Sequence, residues 1–112
     1  MNNIDLQDPE FEEYSISRLK DILATGALLQ RSRALYQLGR RVERNDPLLD
    51  FVLIEINDPM NRATRTVGFA SISFLGVAGL LASKLKNKSA VVTEMISHWP
   101  EMEQANLQTF LE

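Results

Sequence analysis

Apolar side chains recur along this chain at intervals of three and four, and alternating β-branched runs are absent, so the pattern predicts helix almost throughout. Over 9–24 the apolar stripe is Phe11, Leu19, Ile22 and Leu23. Over 27–44 it is Leu28, Leu35, Leu38 and Val42, with Ala34 and Gly39 beside it. Leu48, Leu49, Val52, Leu53 and Ile56 carry it over 47–57, and Val91, Val92, Met95 and Ile96 carry it over 89–98. Asp8-Pro9, Asp46-Pro47 and Asp58-Pro59 each set a capping carboxylate before a proline at the first helical position. Trp99-Pro100-Glu101 reads as another start, with acids placed favourably against the helix dipole. Six helices are expected, over about 9–24, 27–44, 47–57, 59–84, 89–98 and 100–111. Their short connections force neighbours to lie antiparallel, which yields three helical hairpins in succession.

The stretch Thr66–Ser83 has no charge over 18 residues, near the lower limit of about 17–25 for a membrane-spanning helix. Thr66, Gly68, Ser71, Ser73 and Gly76 dilute it, and basic residues flank both ends (Arg62 and Arg65 before, Lys84, Lys86 and Lys88 after), so it carries no orientation signal. It is read as a buried core helix.

Internal self-similarity is visible at a fixed spacing. Asp8-Pro9 recurs as Asp46-Pro47, an offset of 38, and Leu38-Gly39 recurs as Leu75-Gly76, an offset of 37. The same slide lays Leu35 on Ile72 and Ala34 on Ser71. Helical pairs repeated in this way bury their apolar faces by stacking on one another. The run Arg31-Ser-Arg-Ala-Leu-Tyr-Gln-Leu-Gly39, with the acidic-proline openings at Asp46 and Asp58, resembles the second-helix pattern of HEAT-like repeats, relatives of the armadillo solenoids. Gly68 stands where the second repeat would carry the counterpart of Arg31, and the third hairpin has no clear motif. The expected fold is a single all-α domain over 1–112, a short right-handed solenoid of three antiparallel hairpins (about 8–44, 46–84 and 87–111). A compact helical bundle is the alternative.

The resemblance implies that second helices line the concave side. Arg33, Gln37, Arg40 and Arg44 share one face of the second helix, opposite its core stripe. Adding 37 maps that face onto Ala70, Phe74, Val77 and Leu81, which is apolar. These eight residues form the expected partner-binding surface. The apolar half needs a cover, and the candidates are the C-terminal helix (Leu107, Phe110, Leu111), a second copy making a homodimer, or another protein. Gly68, Gly76 and Gly79 would let a helix approach closely.

Composition narrows the chemistry. The chain has 112 residues, 45% hydrophobic and 24% charged, which suits one globular domain. With no cysteine, thiolate metal sites and thiol chemistry are excluded; with His98 as the one histidine, multi-histidine metal sites go too. Glu12-Glu13 and Glu101-Glu103 sit in first turns, where the helix dipole accounts for them. No phosphate-binding loop or other catalytic motif occurs, so no enzyme activity, cofactor or metal is expected. The first thirteen residues hold five acids (Asp5, Asp8, Glu10, Glu12, Glu13) and no base, which does not suit a secretory signal, and cytoplasm is the expected compartment. A net charge of −3 argues against bulk attraction to nucleic acid or anionic membranes. The Arg33, Arg40, Arg44 stripe supplies the alternative, a nucleic-acid-binding repeat, although Glu43 interrupts it and Glu12, Glu13 and Asp21 offer it acidic partners within the chain. A non-catalytic protein-interaction or scaffold module is the leading expectation.

Overall fold

A computed structural model describes residues 9–112; Asp8, expected to cap the first helix, lies outside them. Within this range the chain is mostly helical. Its elements are α1 (Pro9–Glu13), α2 (Ile16–Thr25), α3 (Leu28–Arg40), α4 (Pro47–Asn57), α5 (Pro59–Ala63), α6 (Ile72–Leu81), α7 (Lys88–Ile96) and α8 (Glu101–Leu111). Between α5 and α6 runs a small antiparallel ribbon, β1 (Arg65–Val67) with β2 (Ala70–Ser71).

The acidic caps fall where expected. Asp46 accepts from the backbone N–H groups of Leu48 (3.0 Å) and Leu49 (3.2 Å), and Asp58 from those of Met60 (2.8 Å) and Asn61 (3.2 Å). Each satisfies donors that a helix N-terminus leaves without partners. Two expected helices divide. The segment 9–24 breaks because the hydroxyl of Ser15 accepts from the Arg18 N–H (3.0 Å) and starts α2 afresh. The segment 59–84 breaks more deeply. Thr64 ends α5 in an extended conformation, the β-branched run Thr66-Val67 continues as a strand, and Gly68 turns the chain with φ of +56°. Ser71 then caps α6 by accepting from the Phe74 N–H (3.2 Å). Gly68 is therefore a turn residue and not a helix-contact residue. Among the described residues, no helix is long and apolar enough to cross a membrane.

Everything from Ile72 to Leu80 is buried, so α6 is the central element. It crosses α3 at backbone contact distance. A Cβ added at Gly39 would lie 2.9 Å from the Gly76 carbonyl oxygen and the Leu80 nitrogen, and one at Gly79 would overlap the Tyr36 carbonyl. Leu35 and Ile56 fill the space over Gly76. The small residues at the 37-residue spacing, Gly39 and Gly76, thus meet at one crossing. Ser73 ties α6 to α4 by donating to the Ile56 carbonyl (2.6 Å). Arg31 ties the end of α2 to α5, donating to the Leu23 carbonyl (3.0 Å) and to Asn61 Oδ1 (3.3 Å).

On another side α6 meets α7 and α8. The Phe74 ring lies 5.7 Å from Phe110 and 6.5 Å from Phe69, and both Leu107 and Phe110 are buried. A bidentate ion pair between Arg62 and Glu103 (2.8–3.2 Å), with the Arg62 guanidinium 4.9 Å above Trp99, fixes α8 against α5. The Trp99 indole donates to Asn57 Oδ1 (2.8 Å). Trp99 and Tyr36 are thus packing residues.

Candidate functional site

Of the eight residues expected to form a partner surface, the fold places three of the apolar set inside. Ala70, Phe74 and Val77 are buried and Leu81 is half-buried against the core. These residues therefore do not form an exposed contact surface, and at Phe74 the C-terminal helix, one of the three covers expected, packs on them through Phe110. The polar set also separates. Arg33 is half-buried, Arg40 and Arg44 are exposed, and Gln37 is 2% exposed.

Gln37 and Arg40 come together at a cleft of about 450 Å³ lined also by Glu12, Arg41, Glu43, Ala82 and Lys84. The cleft lies where α3 and α6 both end: Arg41 is the C-cap of α3 and Ala82 that of α6. Two helix C-termini concentrate partial negative charge, and Arg40, Arg41 and Lys84 compensate it. Three cations against Glu12 and Glu43 leave the cleft formally at +1, in a chain of net charge −3.

The cations differ in how they are held. Arg41 is structural. Its guanidinium donates to the carbonyls of Phe11 (3.1 Å), Glu12 (2.9 Å) and Tyr14, closing the end of α1. Burial, with Arg40 beside it, pushes the Arg41 guanidinium below its ordinary range. Arg40 makes one bond, from Nη1 to Glu12 Oε1 (3.2 Å), as the acidic first helix led us to expect, and about two fifths of each side chain stays exposed. Lys84 is exposed at the rim. Arg44 stands away from the cleft, 3.6 Å from Asp46 and 82% exposed along its side chain.

Gln37 does not fit this compensation scheme. Its Nε2 is buried and makes no hydrogen bond among the described residues. A buried amide left in this way costs about 1–3 kcal/mol, so its retention calls for a reason.

Arg41 and Ala82 carry no role in the sequence reading, and Glu43 and Lys84 appear there only as an interruption of the arginine stripe and as a basic flank. Placing the end of the helix at 84 put Lys84 on a helix and away from its mouth. The true end at Leu81 aligns it with Gln37. His98 is exposed in the turn after α7. Among the described residues, no group of three His, Cys, Asp or Glu is disposed to hold a metal ion. No family model, curated protein or solved structure matches this chain.

Proposed function

We propose that this chain is a non-catalytic protein-interaction module, a short HEAT-like stack whose contact surface includes the exposed Arg40 and Arg44. The observation that carries the reading is the cationic cleft at the joint end of α3 and α6, with Gln37 buried in its lining. The stacking part of the reading draws on the close approach of α3 and α6 at Gly39 and Gly76, residues 37 apart in the sequence. Each of Arg40 and Arg44 has a carboxylate beside it, Glu12 and Asp46 respectively. Such interleaved acids disfavour a continuous phosphate backbone and suit a protein surface of mixed charge, so nucleic acid stands second.

Cross-linking in a lysate of the native host, followed by mass spectrometry, tests the reading with the full chain and its Arg44→Glu variant. A defined protein held by the wild type and lost with Arg44→Glu, at moderate salt, is the expected result. Salt-sensitive binding of a short duplex that Arg44→Glu abolishes, with no protein partner, would move the assignment to nucleic acid.

A further inference from the structure

We infer that the groove between α4 and α7 is a docking site for an amphipathic helix of a protein partner, one that carries lysine or arginine beside its apolar stripe. The groove measures about 410 Å³ and is formed by Leu53 and Asn57 of α4 with Ala90, Val91, Glu94 and Met95 of α7. It shares no residue with the cleft that holds Arg40, so it stands independently of the surface proposed above. Over Leu53 and Asn57 it continues into a hollow that reaches Ile54, a residue 69% exposed. Leu53 and Ile54 share a helical face with Asn57, as Ala90 and Val91 do with Glu94. Two apolar stripes set side by side leave a channel into which the ridge of a third helix packs. One exposed isoleucine is ordinary on a protein surface; its continuity with an apolar channel is what marks a contact site.

The charge around the groove selects the occupant. Trp99, just past the end of α7, donates from its indole to Oδ1 of Asn57, the last residue of α4 (2.8 Å), so the two helices end beside each other. Helix C-termini carry partial negative charge that basic residues in the last turn offset. Where α3 and α6 end, Arg40, Arg41 and Lys84 do so. Here neither last turn holds a base, and Glu55 and Glu94 stand there instead. Glu94 is exposed and is the one charged residue in the groove lining.

The charged neighbours are engaged elsewhere. Asp58 caps α5 (2.8 and 3.2 Å), and Arg62 is paired with Glu103 (2.8 Å). At the opposite end of α7, about two turns from Glu94, Lys88 donates to the Ser83 carbonyl (2.9 Å), and Lys86 lies before the helix begins. A partner cation over Glu94 and the two helix ends therefore meets an uncompensated negative field, while the apolar side chains next to it fill the groove. The same field repels an acidic helix.

The test uses the full chain with ¹³C-labelled methionine methyl groups and three fourteen-residue peptides. These are the amphipathic LKKLLKLLKKLLKL, its counterpart with glutamate for lysine, and a lysine peptide of the same composition in a shuffled, non-amphipathic order. We expect the first to shift the Met95 methyl signal saturably and to leave that of Met102 unmoved. By fluorescence polarisation the other two should bind about tenfold more weakly or worse. Glu94→Lys should weaken the first peptide at least fivefold. Glu43→Lys, the same change of net charge at an exposed site outside the groove, should alter it less than twofold. Ala90→Trp, a bulky change at an exposed lining position, should block it.

Equal weakening by Glu94→Lys and Glu43→Lys would mean attraction to net charge alone. Binding that leaves Met95 unshifted would put the peptide elsewhere. Either result, or no binding at all, would overturn the inference. Dimers of the free chain in sedimentation that Ala90→Trp dissociates would give the groove to a second copy and overturn it as well. None of these outcomes touches the Arg40 and Arg44 surface, which the cross-linking experiment decides separately.

Discussion

Phe74 on α6 and Phe110 on α8 meet with ring centroids 5.7 Å apart, and this pair closes the apolar side of the central helix with the chain's own C-terminal element. Both side chains are buried. Truncation of Phe110 to alanine removes the ring and leaves Phe74 facing a void. Phe→Ala changes in cores cost about 3–5 kcal/mol, and the position of Phe110 near the chain end allows some relaxation. Phe110→Ala should therefore lower unfolding stability in urea by about 3 kcal/mol and raise binding of a hydrophobic dye. A loss under about 1 kcal/mol would show that α8 is not the seal.

The α3–α6 crossing yields a graded series. A methyl at Gly79 would overlap the backbone carbonyl of Tyr36, and one at Gly39 would press on the Gly76 and Leu80 backbone at 2.9 Å. Backbone cannot yield as a side-chain tip does. At Gly76 the nearest atoms are side-chain carbons, Ile56 Cγ1 at 2.7 Å and Leu35 Cδ2 and Cγ at 2.8 and 2.9 Å, which can shift further than backbone. Alanine also gains up to about 1 kcal/mol of helix propensity over glycine, which offsets part of each cost. Gly79→Ala should lose about 3 kcal/mol or more, Gly39→Ala somewhat less, and Gly76→Ala about 1 kcal/mol or less, measured by chemical denaturation. Equal costs at the three sites would contradict the close crossing.

These two relationships also mark how far the sequence is legible. The matched Leu-Gly pairs at a 37-residue spacing point to Gly39 and Gly76 as equivalent, and they do meet. The caps at Asp46 and Asp58 announce their helices because a carboxylate before proline has few other uses. Sequence periodicity fails at Thr64–Ser71. An uninterrupted apolar run looks the same whether it belongs to one helix or to a strand, a turn and a shorter helix. The breaking signals, a β-branched Thr66-Val67 before Gly68 and a capping Ser71, are local and were outweighed by the run. That error displaced the mapped face. With α6 beginning at Ile72, positions 70 and 74 belong to an interior segment packed on three sides. Of the partner face, Gln37 and Arg40 share a cleft, and charge pattern could not show it, because it tells which residues share a helix face but not which neighbouring helix ends beside them.

Gln37 offers a stability test separate from any ligand. Its Nε2 is buried without a partner among the described residues, so replacing the amide with a near-isosteric apolar group removes a desolvation penalty without opening a cavity. Gln37→Met should stabilise the free protein by about 1 kcal/mol, read as a higher midpoint in urea with an unchanged slope. A loss of stability would instead mean that the amide is well solvated in the folded chain.

Glu55 sets an expectation for pH. Its carboxylate is half-buried at the end of α4, where burial and then the nearby Asp58 raise its pKa above the usual range, opposed by the Asn61 amide (3.3 Å) and by Arg31. A raised pKa means that the folded chain holds this proton more tightly than the unfolded chain does. Stability from this group is therefore present at low pH and is lost as pH rises, from about pH 4, where an ordinary glutamate titrates, through the raised folded value. Glu55→Gln keeps an oxygen to accept from Asn61 and removes the titration. Relative to this variant, the wild type should lose stability as pH rises from about 4 through the raised folded value, with the two curves converging under more acid conditions. Because other carboxylates titrate in both proteins, the difference between the two urea-denaturation series isolates Glu55. If the wild type gained stability relative to Glu55→Gln as pH rose, Arg31 and Asn61 would outweigh burial at this site, and the carboxylate would be a stabilising member of the α2–α5 tie.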